Sequence, residues 1–193
     1  MRDLLGSLSD EARARLLLRT AERWAEHHLS FCRKIGSDPA ILENALIASR
    51  EHFESGVGFG FTWDQMLDAA PSDAHGSDPA VYGARVAPHA LAVLARSGGR
   101  PAASEVLTCL WGTIDSRVSE TGGGTPFVTS SPDEVGAFFR DAKRQRKESR
   151  LVARENPLVQ SELEAQREDL TAASVLSGRE AQASLEKAFG SWA

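Results

Sequence analysis

Apolar residues recur at spacings of three and four along most of the chain, a pattern typical of helices that pack on one side. The first long stretch begins after Ser9, Asp10 and Glu11 and ends near Gly36. No segment shows the strict alternation typical of a half-buried strand. The pattern predicts one long first helix, whose inner stripe is Leu17, Ala21, Trp24, His28, Phe31 and Ile35.

Prolines and small polar residues mark where the next helices begin. Ser37 or Asp38 is a suitable cap, and Pro39 suits the first helical position. Thr62 and Gln65 have the spacing of a capping box, and Pro71 ends the short helix that they start. The inner stripe predicted for the helix after Pro39 is Leu42, Ala45, Leu46 and Phe53.

Two longer helices follow and form a predicted helical hairpin. Asp78 and Pro79 open the first, Pro88 predicts a kink inside it, and the glycines of SGGR close it. Pro101 opens the second, which ends before TGGGTP. The first carries Tyr82, Val86, Ala90, Val93 and Leu94, and the second carries Leu107, Leu110, Trp111, Ile114 and Val118 on one face.

The last third of the chain repeats these signals. Ser131 and Pro132 start a helix over 131–155, and Asn156 with Pro157 starts another, for which Ser177 and Gly178 are a weak point or a boundary. The helix after Pro157 carries Leu158, Val159, Leu163, Leu170 and Leu176, and the final one carries Leu185, Phe189 and Trp192. We therefore predict an all-α fold, a single compact bundle of about seven to eight helices that forms one domain over residues 1–193.

Composition fits this architecture and limits the function. The chain has 193 residues, 41% of them hydrophobic, and a net charge of −5. An acidic chain is unlike most nucleic-acid-binding domains. The opening residues lack the apolar segment of a signal peptide, and no apolar run could cross a bilayer, so we expect a cytoplasmic protein without a membrane contact. Cys32 and Cys109 are expected to be free, mostly buried thiols.

Residues 140–154 are an exception to the acidic balance. They hold seven basic and two acidic residues, a net charge of +5, which leaves −10 on the other 178 residues. On a helix the basic residues share one face, opposite Val135, Phe138, Ala142 and Val152. Three interpretations stay open: a solvated face, an interface for an acidic protein, or a phosphate contact, the last being the least favoured. The face consists of Arg140, Lys143, Arg144, Lys147, Arg150 and Arg154.

Candidate chemistry is sparse elsewhere. His28 and Cys32 lie one helical turn apart and could bind zinc with His52 or His89, although packing in the core is the favoured interpretation. GVGFG, residues 56–60, lacks the context of a phosphate loop and is expected to be a turn with left-handed glycines, anchored by Phe59 and Phe61. Carboxylates such as Glu22, Glu26 and Glu162 show no catalytic spacing. We expect no metal, cofactor or catalytic site.

Several short stretches resemble a bacterial family known as domain of unknown function 416, the YjaG-like proteins. They are Glu22-Arg23 with Phe31-Cys32 and Gly36, then APS at 70–72, VYGARVAPHALAVL at 81–94 and ENPLVQSE at 155–162. The resemblance spans about residues 15 to 185 and implies an all-helical bundle. It implies no reaction and no catalytic residues, and only a genome-context association with histidine-kinase signalling. Pro88-His89 departs from the family pattern.

These observations favour a non-enzymatic protein-interaction module, and the resemblance to the family implies a role as an accessory to bacterial histidine-kinase signalling. The expected partner is another protein or a second copy, with no nucleic acid. One alternative is an immunity-type protein that neutralises a toxin, because an acidic surface can steer a protein toward a basic enzyme. Another is an enzyme or small-ligand binder whose site is unrecognised. A deep pocket with several ionisable groups, including His28, His52 or His89, would favour that alternative.

Overall fold

A computed structural model describes residues 1–71, 79–120 and 156–190. The described residues form eight α-helices and no strand, which confirms the predicted all-α bundle. None of these helices combines the length and the apolar character needed to cross a membrane. The helices are α1 (Arg2–Ser7), α2 (Asp10–Ile35), α3 (Ala40–Ser55), α4 (Trp63–Ala69), α5 (Pro79–Ser97), α6 (Ala103–Glu120), α7 (Pro157–Ser177) and α8 (Arg179–Gly190).

Helix α2 is the centre of the bundle. The Ser9 side chain accepts a hydrogen bond from the Ala12 backbone N–H, and Gly36 ends the helix with a left-handed φ of 70°, as predicted. The helix packs mainly against α5 and also contacts α3, α6 and α7. The predicted stripe is buried from Leu17 to Phe31, but its last member, Ile35, is 43% exposed, so that part of the prediction is wrong. The stripe leaves the core where the helix ends.

Helix α1 was not predicted from the pattern. It has six residues, too few to show a repeat of three and four. Leu4, Leu5 and Leu8 are nonetheless buried, and α1 packs against α8 and α6. The first eight residues therefore contribute three leucine side chains to the core.

The capping predictions for α3 and α4 are largely correct. Asp38, rather than Ser37, accepts a hydrogen bond from the Ala40 backbone N–H, at 2.9 Å between oxygen and nitrogen. Pro39 is the N-cap of α3, one position before the predicted one. Thr62 and Gln65 form the predicted capping box, with both of its hydrogen bonds present. Local polar groups were sufficient to place both helix starts.

Helices α5 and α6 form the predicted hairpin, with Pro88 inside α5. Helix α6 begins at Ala103, two residues after Pro101, and its buried face differs from the predicted one. Trp111 is 43% exposed, and Leu107, Ile114 and Val118 are only partly buried. The buried side chains of α6 are Val106, Cys109, Leu110, Thr113 and Ser116. The helix is thus rotated relative to the prediction.

Helix α7 starts and ends where the sequence indicates. The Asn156 side chain accepts a hydrogen bond from the Leu158 backbone N–H, Pro157 is the first helical residue, and Gly178 follows the last turn. Leu158 and Leu176 were predicted on the inner stripe but are exposed. Leu185 of α8 is buried, whereas the side chains of Phe189 and Trp192 lie outside the described part of the chain, as does the predicted helix over 131–155.

Candidate functional site

The basic face predicted on residues 140–154 lies outside the described residues, so Arg140, Lys143, Arg144, Lys147, Arg150 and Arg154 are not placed by the structure. The other candidates lie in the described part of the chain. Two groups of polar side chains lie along α2: a neutral pair that faces α5, and charged side chains that face α6 and α7.

His28 and Cys32 form the neutral pair. The His28 Nδ1 atom lies 3.0 Å from the Ala84 carbonyl oxygen, and Nε2 lies 3.3 Å from the Cys32 sulfur. Because a carbonyl can only accept, Nδ1 carries the proton and the Cys32 thiol donates to Nε2. Burial lowers the pKa of His28, against the effect of the Ala84 hydrogen bond, and burial raises the pKa of Cys32. Both shifts favour a neutral imidazole and a neutral thiol over the ion pair of an activated nucleophile.

The partner of His28 has a structural explanation in Pro88. In an α-helix the carbonyl of residue 84 normally accepts from the N–H of residue 88, but proline has no N–H. Ala84 is fully buried, so water does not replace the missing donor. The His28 side chain supplies a donor from the neighbouring helix. His28 therefore satisfies a carbonyl that Pro88 leaves without its helical partner.

The structure does not bring His28 and Cys32 together with the other histidines. His52 bonds to the Val57 carbonyl oxygen at 2.6 Å and stacks on Phe59, with ring centroids 4.0 Å apart. His89 lies edge-on to Trp63. Within the described ranges, no group of three or more histidine, cysteine or acidic side chains could hold a metal ion. The two free cysteines are both buried, as predicted.

The GVGFG segment is the predicted turn. Gly56 and Gly60 adopt left-handed φ angles of 73° and 69°, which other residues rarely adopt. Phe59 is buried, and Phe61 packs against the core beside it. The glycines thus allow the chain to turn while Phe59 fixes the loop between α3 and α4.

The charged network joins α2 to α7. Arg23 on α2 pairs with Glu162, at 2.9 Å, and with Asp169 on α7. Arg19, one turn before Arg23, lies 3.5 Å from Asp169. Glu162 is 2% and Asp169 8% exposed, so both carboxylates depend on these arginines for compensation. The network fixes α7 against the central helix.

Gln166 extends the network to α6. Its side-chain nitrogen donates to the Leu110 carbonyl oxygen at 3.0 Å and lies 2.6 Å from the Thr113 hydroxyl oxygen and 3.3 Å from Glu162. Glu162, Gln166 and Asp169 therefore form a polar stripe that faces inward. Glu164 and Glu168 on the same helix are exposed, whereas the three members of this stripe are buried. Their spacing of three and four residues was the signal that could have revealed the stripe.

A second cluster lies nearby on α2 and α6. Arg117 lies over the Trp24 ring, 4.4 Å from its centroid, and its NH1 atom is 3.2 Å from His27 Nε2 and 2.9 Å from a Glu120 carboxylate oxygen. The Trp24 and His27 rings are also in contact. Sequence reasoning did not identify this cluster, because its members are far apart in the chain. It forms part of the wall of a cavity of about 280 Å³ that is lined by His27, Ser30, Phe31, Lys34, Ala80 and Glu120.

Gly83 allows α5 to approach this cluster. A Cβ atom at Gly83 would lie 3.1 Å from His27 Cδ2 and 3.3 Å from Trp24 Cζ3, which are rigid ring atoms. We expect Gly83→Ala to lower the free energy of unfolding by about 1–3 kcal/mol because the helices must separate. Gly112→Ala is the matched control, since nothing lies within 4 Å of its Cβ position, and it should stabilise by up to about 1 kcal/mol. Urea denaturation measures both, and changes of the same sign and size would contradict the expected crowding.

The contacts of these side chains limit the chemistry that they can carry out. The charged network and the second cluster together hold three arginines and three carboxylates that neutralise each other: Arg19, Arg23, Arg117, Glu120, Glu162 and Asp169. The cavity contains three ionisable groups, but its histidine is His27 and none of those expected for a catalytic pocket. The geometry thus favours a structural role for the network and for the His28 pair.

The comparisons with known proteins bear on the fold. No family model and no curated protein matches the chain. A solved DUF416 family protein from Shewanella baltica OS155 is similar in structure, with a TM-score of 0.52 and 16% sequence identity, over 88% of this chain and 94% of that one. The sequence resemblance to domain of unknown function 416 and the structural similarity to a solved member of that family thus lead to the same all-helical fold.

Proposed function

We propose that this protein is a non-enzymatic, cytoplasmic protein-interaction module. Its contact surface is the basic face of the segment 131–155, consisting of Arg140, Lys143, Arg144, Lys147, Arg150 and Arg154. The observation that carries the proposal is the charge separation between this segment, at +5, and the rest of the chain, at −10. Charge complementarity of this kind gives an interface its specificity and its rate of association.

The described residues support this proposal in two ways. The groups most suited to chemistry are engaged within the fold: Arg23 pairs with buried carboxylates, and His28 satisfies the Ala84 carbonyl. In contrast, α3 exposes a line of residues at spacings of four, four and three, which combines three carboxylates with an apolar centre. These residues are Glu43, Ile47, Glu51 and Glu54. Such a face suits a basic surface, including the basic face of a second copy.

The resemblance to the DUF416 family adds a context to this proposal. Its association with histidine-kinase signalling suggests that the acidic partner is a component of such a pathway. An immunity-type protein is the second candidate, because the exposed carboxylates of α3 would steer it toward a basic toxin. The neighbouring reading frame distinguishes the two: a sensor kinase favours signalling, whereas a toxin domain favours immunity.

Charge reversal tests the proposed interface. We expect Arg144→Glu combined with Lys147→Glu to reduce recovery of the partner at least about tenfold in affinity purification from the native cell, because like charges then face each other. The control is Arg2→Glu combined with Arg100→Glu, which makes the same change in net charge at two exposed arginines elsewhere. Equal recovery by the two double variants, or a wild-type protein that is repeatedly alone and monomeric at low salt, would contradict the proposal.

A further inference from the structure

His27 lies between a cation and an anion at the junction of α2 and α6. Its Nε2 atom is 3.2 Å from Arg117 NH1 and 3.5 Å from Glu120 Oε1. Arg117 also bonds to the other carboxylate oxygen of Glu120, at 2.9 Å. Arg117 therefore donates hydrogen bonds to both His27 and Glu120. The three side chains contact one another at the last turn of α6.

The proton on His27 can be placed from these contacts. Arginine can only donate, so the Arg117 contact requires Nε2 to be an acceptor and Nδ1 to carry the hydrogen. The Nδ1 atom is buried and has no hydrogen-bond partner. A second proton, on Nε2, would remove the bond from Arg117 and place two cations side by side. The arrangement thus holds the imidazole neutral.

The charged groups around His27 come from three helices. Helix α2 contributes Glu26, helix α6 contributes Arg117 and Glu120, and helix α7 contributes Glu162. Helix α5 contributes Gly83, whose backbone lies against the ring. Lys34, two turns further along α2, lines the same cavity as His27. Burial and then Arg117 lower the pKa of His27, and they outweigh the opposing effect of the three carboxylates.

We propose that His27 is a proton-sensitive element that controls the α2–α6 junction. When a proton from solvent binds to Nε2, the hydrogen bond from Arg117 is lost and Glu120 exchanges Arg117 for the imidazolium. The last turn of α6 then loses the hydrogen bond from Arg117 to His27, and its links to α2 in this cluster are reduced to the Glu120 pair and the packing of Arg117 on Trp24. The proton reaches His27 through the cavity, since the side chain is 30% exposed.

The direction of the effect follows from the lowered pKa. A histidine whose pKa is lower in the folded state stabilises the fold fully above the unfolded value of 6.5, and this contribution is lost as the pH falls through the folded pKa. The junction is therefore closed at neutral pH and loosens in acid. This inference is independent of the interaction proposed for the basic face.

His27→Gln separates the proton effect from packing, because the glutamine carbonyl can still accept from Arg117 but takes up no proton in this range. Amide hydrogen exchange of residues 117–120 would be compared at about pH 5 and about pH 7.5, after correction for intrinsic rates. We expect acid to reduce protection at least about tenfold in the wild type and to leave His27→Gln unchanged. The proposal is overturned if acid reduces the protection of residues 117–120 equally in the wild type and in His27→Gln, or leaves it unchanged in both.

NMR of the His27 ring provides a second readout that a purely structural role would not change. We expect the Nδ1–H tautomer at neutral pH and a titration midpoint below 6.5, which Arg117→Gln raises by removing the neighbouring cation. The Nε2–H tautomer, or a midpoint that does not respond to Arg117→Gln, overturns the proposal.

Discussion

Arg23→Met is expected to lower the free energy of unfolding by about 3–5 kcal/mol, because it leaves two buried carboxylates without their main cation. Glu162 and Asp169 have little access to water, and Arg19 reaches only Asp169. The loss would be measured by urea or thermal denaturation of the full chain. Methionine keeps the length and flexibility of the arginine stem, so the effect reports on charge more than on volume.

Two further variants make this prediction specific. Arg23→Met combined with Glu162→Gln and Asp169→Asn should recover much of the lost stability, because no uncompensated charge stays buried. Arg33→Met is the matched control, since Arg33 pairs with Glu26 on the same helix with both side chains exposed, and it should change stability by less than about 1 kcal/mol. Equal losses for Arg23→Met and Arg33→Met would show that the network does not hold α7 in place.

The helix boundaries and the inner stripe of α2 are the parts of the fold that the sequence could predict. Helix starts and ends depend on residues within one turn of each other, so the side chains of Ser9, Thr62 and Asn156 were sufficient to place three helices. The inner stripe of α2 was predicted because it is mostly apolar. These features depend on local chemistry, which a single sequence contains.

The orientation of α6 depended on contacts that are distant in the chain. Its outer face carries the bulkier apolar residues, such as Trp111, and the apolar pattern therefore predicted the wrong side. The inner face uses the small polar residues Thr113 and Ser116, and this choice leaves room for Gln166 to bond to Leu110 and Thr113. A polar residue packs inside only when a partner is present, and that partner lies some 50 residues away. No periodicity in α6 reveals it.

For His28, the sequence predicted the position on the α2 stripe but not the hydrogen bond to the Ala84 carbonyl, because that contact also depends on residues distant in the chain. Pro88 was expected to kink its own helix. Its more specific consequence is that a buried carbonyl takes its hydrogen bond from another helix. Because the proline and the histidine lie 60 positions apart, only the folded structure relates them. The favoured interpretation of His28 as a satisfied core residue thus has a physical cause.

The relation between His28 and Pro88 predicts a coupling that a double-mutant cycle measures. His28→Leu should cost about 1–3 kcal/mol, because it leaves the Ala84 carbonyl and the Cys32 thiol without partners. Pro88→Ala returns an N–H to the position from which an α-helix normally satisfies that carbonyl. We therefore expect His28→Leu to cost less in the Pro88→Ala background, with a coupling energy of about 1 kcal/mol or more in urea denaturation.

A second histidine provides the control for this cycle. His52 also donates to a backbone carbonyl, that of Val57, but it lies beside Gly99, two residues beyond the end of α5, and that end is about 14 Å from Pro88 at the helical rise per residue. The changes in the free energy of unfolding caused by His52→Leu and by Pro88→Ala should therefore be additive, with no coupling energy. If His28→Leu lowers the free energy of unfolding by the same amount with and without Pro88, the hydrogen bond to the Ala84 carbonyl is not the main contribution of His28 to stability. The contact to Cys32 would then be the main reason for a histidine at this position, and Cys32→Ala should reproduce the loss.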